Sequence, residues 1–396
     1  MKTKIPFIGL LLLVINFSSA QEIKSNQFGK GLFNIVGKDS SWTMKVGLRA
    51  QLLATSMWNE GEANETSFLV RRSRLKFDGY AYSPKLKYKI ELGLSNRDIS
   101  GASVYTGNAP RYILDAVVMW NFYDNFVLWF GQTKLPGNRE RVISSANLQQ
   151  VDRSLLNSRF NIDRDMGFQL RHHFNLSNTF VVKEILSLAQ GEGRNITTGN
   201  LGGYQYTGRL ELFPFGNFKS KGDYKGAALN REQKPKLSLA ASYDINNNAV
   251  KTRSNQGSYM LTDTGFFETN INTLFIDAMF KYKGFSFMAE YSDRTAEDPI
   301  AKNSDGTPTG DEVQVGSGIN LQSGILFPNN WELSGRYTHI KLDQNITGRD
   351  PETQYTLGLS KYVVGHSLKV QTDISYLDRF GGNNQVMYRL QCEIHF

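Results

Sequence analysis

From Trp42 to the end, the chain alternates between apolar and polar positions. Trp42, Met44, Val46, Leu48, Ala50 and Leu52 interleave with Lys45, Arg49 and Gln51. Leu86, Tyr88, Ile90, Leu92 and Leu94 interleave with Lys87, Lys89 and Glu91, and the last residues repeat the pattern through Val386, Tyr388, Leu390, Cys392, Ile394 and Phe396. Successive side chains of a strand point to opposite faces, so a period of two predicts strands with one apolar and one polar face. The runs are about 9–11 residues long, the length a tilted strand needs to cross a bilayer.

The connections alternate too. Short ones fall at Ser83–Lys85, Tyr123–Asn125, Asn175–Asn178, Lys283-Gly284, Phe327–Asn330 and Val363–His366, with long polar ones such as Asn246–Asn270, Ala296–Glu312 and Leu342–Glu352 between them. Aromatic residues gather near strand ends, as girdles at two interfaces would. Together these features predict an all-β fold: a transmembrane antiparallel β-barrel of about sixteen strands, with short periplasmic turns and long extracellular loops. A soluble β-sandwich shares the alternation but not the strand length or the hairpin asymmetry. The barrel is expected over 42–396, after a lead-in at 21–41 without strong pattern. One connection breaks the rule, because Phe215–Pro235 is long where a short turn is due.

Lys2 and Lys4 precede an apolar run from Ile5 to Phe17, followed by Ser18-Ser19-Ala20. That is the form of a secretory signal over 1–20, and the run falls short of the roughly 20 apolar residues of a spanning helix. Export to the outer membrane of a Gram-negative cell follows. The formal charge of the whole chain is +8, and loss of Lys2 and Lys4 lowers it by two to +6. Such a balance suits anions as partners. Cys392 is the single cysteine, which excludes a disulfide framework and a thiolate metal site. His172-His173 is the one adjacent histidine pair, and strand neighbours point apart. No metal site and no cofactor are expected, and no nucleophile stands marked beside His339 or His366. The acids Asp293, Glu297, Asp298, Asp305, Asp311 and Glu312 match no calcium-loop spacing and read as a solvated loop.

The stretch VRRSRLKFDG, Val70–Gly79, carries the chemistry. Read as an uninterrupted strand, it places Arg72, Arg74 and Lys76 on one face with Val70 and Asp78. Leu69, Arg71, Leu75 and Phe77 fall on the other. Each cation facing lipid near the midplane would cost roughly 2–4 kcal/mol. In a wet lumen, neighbouring like charges at about 7 Å repel by only roughly 0.6 kcal/mol. Arg72, Arg74 and Lys76 are therefore expected to line the pore. Arg71 is assigned to the lipid side near a strand end, where it can snorkel. Other inward charges should pair along their own strands: Lys87 and Lys89 with Glu91, Arg209 with Glu211, Arg336 with Glu332, Lys369 with Asp373, and Arg389 with Glu393.

The segments FLVRRSRLKFDGYAYSPKLKYKIELGL, ILDAVVMWNF, VLWFGQTKLPGNRE, RDMGFQL and YTLGLSKYVVGHSLKVQTDISY resemble the phosphate-selective porin O/P family. The resemblance runs, with gaps, from about Trp42 to the end. It implies a sixteen-stranded outer-membrane barrel, usually a homotrimer, that passes small anions such as phosphate by diffusion. Phe396 is similar to the terminal signal by which such barrels are inserted among outer-membrane lipids. The resemblance also implies that Lys134 and the third long loop, 135–163, fold inward as a constriction. On that reading Arg139, Arg141, Arg153 and Arg159 join the pore lining, with Ser144, Ser145, Asn147 and Ser158 as further donors. Rings of Arg or Lys are how pores favour anions. The function expected is a passive anion porin and not an enzyme. The alternatives are a non-selective general porin, or a barrel-borne enzyme or adhesin. Nucleic acid is not an expected partner.

Overall fold

Burial inverts the order of a water-soluble sheet. In Lys236–Ala249, Leu239 and Tyr243 are 42% and 50% exposed, while Ser238 and Asp244 are 0% exposed. Polar side chains face inward and apolar ones outward. The structure, a computed structural model, describes residues 21–25 and 27–396, so the expected signal segment 1–20 lies outside the described residues.

Among the described residues, sixteen strands form a closed antiparallel ring. They are β1 (Thr43–Asn59), β2 (Glu65–Ala81), β3 (Ser83–Gly93), β4 (Ile113–Tyr123), β5 (Phe126–Lys134), β6 (Arg164–Asn175), β7 (Val181–Ala189) and β8 (Gln205–Phe213). The second half is β9 (Lys236–Ala249), β10 (Thr269–Tyr282), β11 (Phe285–Ala296), β12 (Gly316–Leu326), β13 (Trp331–Leu342), β14 (Glu352–Val364), β15 (Leu368–Arg379) and β16 (Gln385–His395). Each strand pairs with the next, and β16 closes on β1 with Gln385 opposite Asn59 and His395 opposite Arg49.

Several details differ from the sequence pattern. β1 and β2 run 17 residues each, well beyond the expected span. The first short turn pivots on Tyr82, at φ 67°, so Ser83–Lys85 already belongs to a strand. Val363 and Val364 likewise remain in β14. The lead-in holds two short strands, Gln21–Ser25 and Phe33–Gly37, paired with each other. β1 extends past the end of β16, and Phe33–Val36 pairs with Thr43–Val46 on that uncovered edge.

The face assignment of Val70–Gly79 needs one correction. Gln51 of β1 pairs with Arg72, but Leu52 pairs with Val70, so Arg71 is the extra residue of a β-bulge. The bulge resets the alternation. Val70 turns outward at 49% exposure, and Arg71 and Arg72 both turn inward, where each meets Asp152.

Some inward positions are apolar, and these mark where other chain segments dock. Segment 135–163 crosses the interior with two short helices, α1 (Arg139–Val142) and α2 (Leu155–Phe160). Ser154 caps α2 by accepting from Asn157 N. Leu156, Phe160 and Ile162 pack with Phe275 of β10 and Ile340 of β13. Hydrogen bonds fix the rest of the segment to distant strands. Gln149 donates to Glu332, Glu290 accepts from Glu140 N, and Lys369 donates to Leu148 O.

Candidate pore lining

The site grows from the bulge. Arg72 donates from Nη1 to Gln51 Oε1 at 2.7 Å and meets Asp152 at 3.2 Å, while Arg71 Nη2 lies 2.6 Å from Asp152. Two residues beyond Arg72, Arg74 lies between Asp98 at 2.6 Å and Glu91 at 2.9 Å. At the end of β5, Lys134 Nζ donates to Arg141 O and Ile143 O, at 2.7 and 3.1 Å. It thereby holds the start of segment 135–163 to the wall. Arg141 grips Asp163 through two guanidinium nitrogens, and Arg153 donates to Glu140 O and Ile143 O.

These groups border one cavity of about 470 Å³. Arg71, Arg72, Arg74, Lys134, Arg141 and Arg153 all line it, as do Arg97, Arg111, Arg164, Arg194, Lys251 and Arg253. Against these cations the lining holds three carboxylates, Asp98, Asp163 and Glu192. Cation excess follows directly. Like charges repel most strongly where water is scarce, so an anion entering this cavity would offset part of that repulsion.

The expected residues do not all converge. Arg72, Arg74, Lys134, Arg141 and Arg153 come together at the cavity. Lys76 lies outside its lining, further toward the short-turn end of β2, and pairs with Asp78 at 2.8 Å. Arg139 is fully buried against the opposite wall, bound to Asp277 at 2.8 Å and Ser238 at 2.9 Å. Arg159 reaches Glu352 at 2.6 Å, also outside the lining. Of the expected donors, Ser145 lines the cavity and accepts from Arg49 Nη1.

Sequence reasoning missed Arg97, Arg111, Arg194, Lys251 and Arg253, which arrive from loops 94–112, 190–204 and 250–268. Asp165 explains how two of these loops reach the lumen: its carboxylate accepts from Gly191 N, Gly193 N and Asn255 Nδ2. This ties the loops carrying Arg194 and Lys251 down to the base of β6. The signal was present as runs such as Lys251-Thr252-Arg253, but nothing in the one-dimensional pattern aims a loop inward.

Proton affinities outside the sixteen strands of the ring follow the crowding. Burial pushes Arg141 well below the usual guanidinium range, with Arg153 and Arg164 adding repulsion. Burial lowers Arg153 to about 10, partly offset by Glu140 and Asp152. Burial, then the Arg111 charge, brings Lys251 down to about 8. Burial raises Glu192 to about 7, although Gly202 N donates to it. Burial would raise Asp152, but Arg72 and Arg71 hold it well below the usual carboxylate range.

The wall pairs also correct an expectation. Lys89–Glu91 at 3.0 Å and Arg209–Glu211 at 2.8 Å form along a strand. The others pair across. Arg389 meets Asp373 at 2.7 Å, Lys369 meets Glu393 at 3.4 Å, and Arg336 meets Glu140 of segment 135–163 at 3.5 Å. Residues four apart on a strand are about 13 Å apart, while directly opposite partners are about 5 Å apart.

The family model for phosphate-selective porin O and P matches residues 45–385, most of the chain. The chain belongs to that family. This porin is also similar to an uncharacterized protein of Aquifex aeolicus, at 21% identity over 97% of this chain and 92% of the relative. Among solved structures, an anion-selective porin from Comamonas acidovorans superposes with a TM-score of 0.56, at 11% identity. The match covers 90% of this chain and 100% of that one. The trimer form of OmpT, an outer membrane protein of Vibrio cholerae, superposes at 0.52, with 13% identity over 88% and 99% of the two chains. At such identities these structures speak for the fold alone. Fold and family describe a porin barrel, a channel architecture.

Proposed function

We propose that this porin carries small anions, phosphate among them, by passive diffusion across an outer membrane through the cavity beside the bulge. The observation that carries this reading is the imbalance of the lining: ten arginines and two lysines against Asp98, Asp163 and Glu192. No covalent step is needed, since selectivity in such a pore comes from radius, donors and potential. Guanidinium forks suit oxyanions, which they bind bidentately. Segment 135–163 acts as the constriction, with Arg141 and Arg153 on its cavity side. The outward belt, where Leu186 is 63% exposed and Leu357 56%, is the lipid contact. Export by the segment at 1–20 and assembly as a homotrimer complete the proposal; the trimeric form of the OmpT neighbour supports the second.

Single-channel recording in a planar bilayer tests it. The expected result is a reversal potential showing anion preference in a salt gradient, with chloride current reduced by millimolar phosphate. Cation preference would overturn the reading. Anion preference without phosphate block would leave a general anion porin.

A further inference from the structure

The connection 214–235 is long where its counterparts on the same end of the barrel are one to a few residues, and it does not extend away from the barrel. Phe218 packs inside with Ile143 and Leu148 of segment 135–163 and with Phe213, Met279 and Met288 of the wall. Gly226 N donates to Asn147 O at 2.7 Å. A Cβ at Gly226 would stand 2.5 Å from Gln149 N, so the two backbones are in close contact. Tyr224 hydroxyl donates to Glu211, and the Arg139 guanidinium lies 5.4 Å from the Tyr224 ring centre. Lys281 donates to Lys225 O and Ala227 O, while Ala227 and Leu229 pack with Leu326 and Tyr362. The wall there is sealed: Ser238, Lys281, Ser286 and Glu332 are at most 2% exposed.

We infer that residues 214–235 form a second lumen insert, entering from the short-turn end, that holds segment 135–163 in place and confines passage to the sector beside Arg71, Arg72 and Arg74. This inference rests on the anion-channel reading and adds a determinant of solute size. Phe218 and Gly226 are positioning residues. Phe218 joins the two inserts through an apolar contact, and Gly226 permits their backbones to meet. Neither touches the cavity lining, so they act on the cross-section of the path and not on its charge.

The test separates size from charge. Residues 217–233 are replaced by a short Gly-Ser turn, and conductance, reversal potential and uptake of neutral sugars of graded size into proteoliposomes are compared with the parent. Conductance should rise by about twofold or more, as a wider open section allows, and larger sugars should enter. Gly226→Val, which keeps the whole segment, should move both readouts the same way to a smaller extent, and Phe218→Leu should keep parental values. Should the replacement fail to assemble, Gly226→Val decides. Unchanged conductance and sugar cut-off in the assembled replacement, or in Gly226→Val, overturn the inference. Loss of anion preference in the parent overturns the transport reading instead.

Discussion

Two halves of one lumen use the same residue type to opposite ends. In the filled half, Arg139 touches Asp277 and Glu211, and Arg209 touches the same two carboxylates. Carboxylates keep pace with guanidinium groups, the side chains are almost fully buried, and the charges join loop to wall. In the open half, around the bulge and loops 94–112, 190–204 and 250–268, the cations outnumber the acids and space remains between them. Stoichiometry and packing, not residue type, separate the two roles.

The largest expected effect lies in the filled half. Arg139→Ala leaves Asp277 and Glu211 buried with a cation missing, and breaking a buried pair in this way costs roughly 3–5 kcal/mol. A lower melting temperature, read by circular dichroism in detergent, checks it; an unchanged one would mean Arg139 is not structural cement. Next comes selectivity. Arg72 and Arg74 each hold a carboxylate, so Arg97 and Arg111 are cleaner probes, and Arg111 Nε has no hydrogen-bond partner among the described residues. Arg97→Glu with Arg111→Glu removes four charge units from the lining. Anion preference in bilayer recordings should fall several-fold while thermal stability stays near parental.

A smaller effect is pH dependence. Glu192 gains its negative charge as pH rises through about 7, and Lys251 loses its positive charge as pH rises through about 8. Both changes make the cavity less positive, so anion preference should decline from acidic to alkaline pH, with most of the change between these values. Glu192→Gln should abolish the lower step and leave the upper one. A preference that increases with pH would contradict the assignment. The smallest effect is expected at Lys76, paired with Asp78 and outside the cavity lining. Such a half-exposed pair contributes about 0–1 kcal/mol. Lys76→Ala should leave reversal potential and melting temperature almost unchanged.

The wall was legible in the sequence because its physics is local. Alternation, strand length and turn asymmetry each act within one or two hairpins, and the ring follows from repeating them. What was hidden depends on pairing between strands far apart in sequence. A bulge adds one residue without altering composition, so plain alternation puts Val70 and Arg71 on exchanged faces while still turning Arg72 and Arg74 inward. Partners of Lys369, Arg389 and Arg336 lie across register or on another segment, where along-strand spacing gives no guidance. Inward-facing Phe275 and Ile340 are the readable trace of docking, apolar positions on a face otherwise reserved for water. They announce that something covers them but not what.

The apolar contacts inside the ring bear on the order of assembly. Phe160 and Phe213 are buried only when segment 135–163, connection 214–235 and strands as distant as β13 have come together. A nascent chain that has formed its first hairpins still presents these side chains on the aqueous side of the sheet, where they can recruit other chains. The seam between β1 and β16 is thus a kinetic checkpoint as well as a join. Until Gln385–His395 finds Asn59–Arg49, the interior has no enclosure in which to pack.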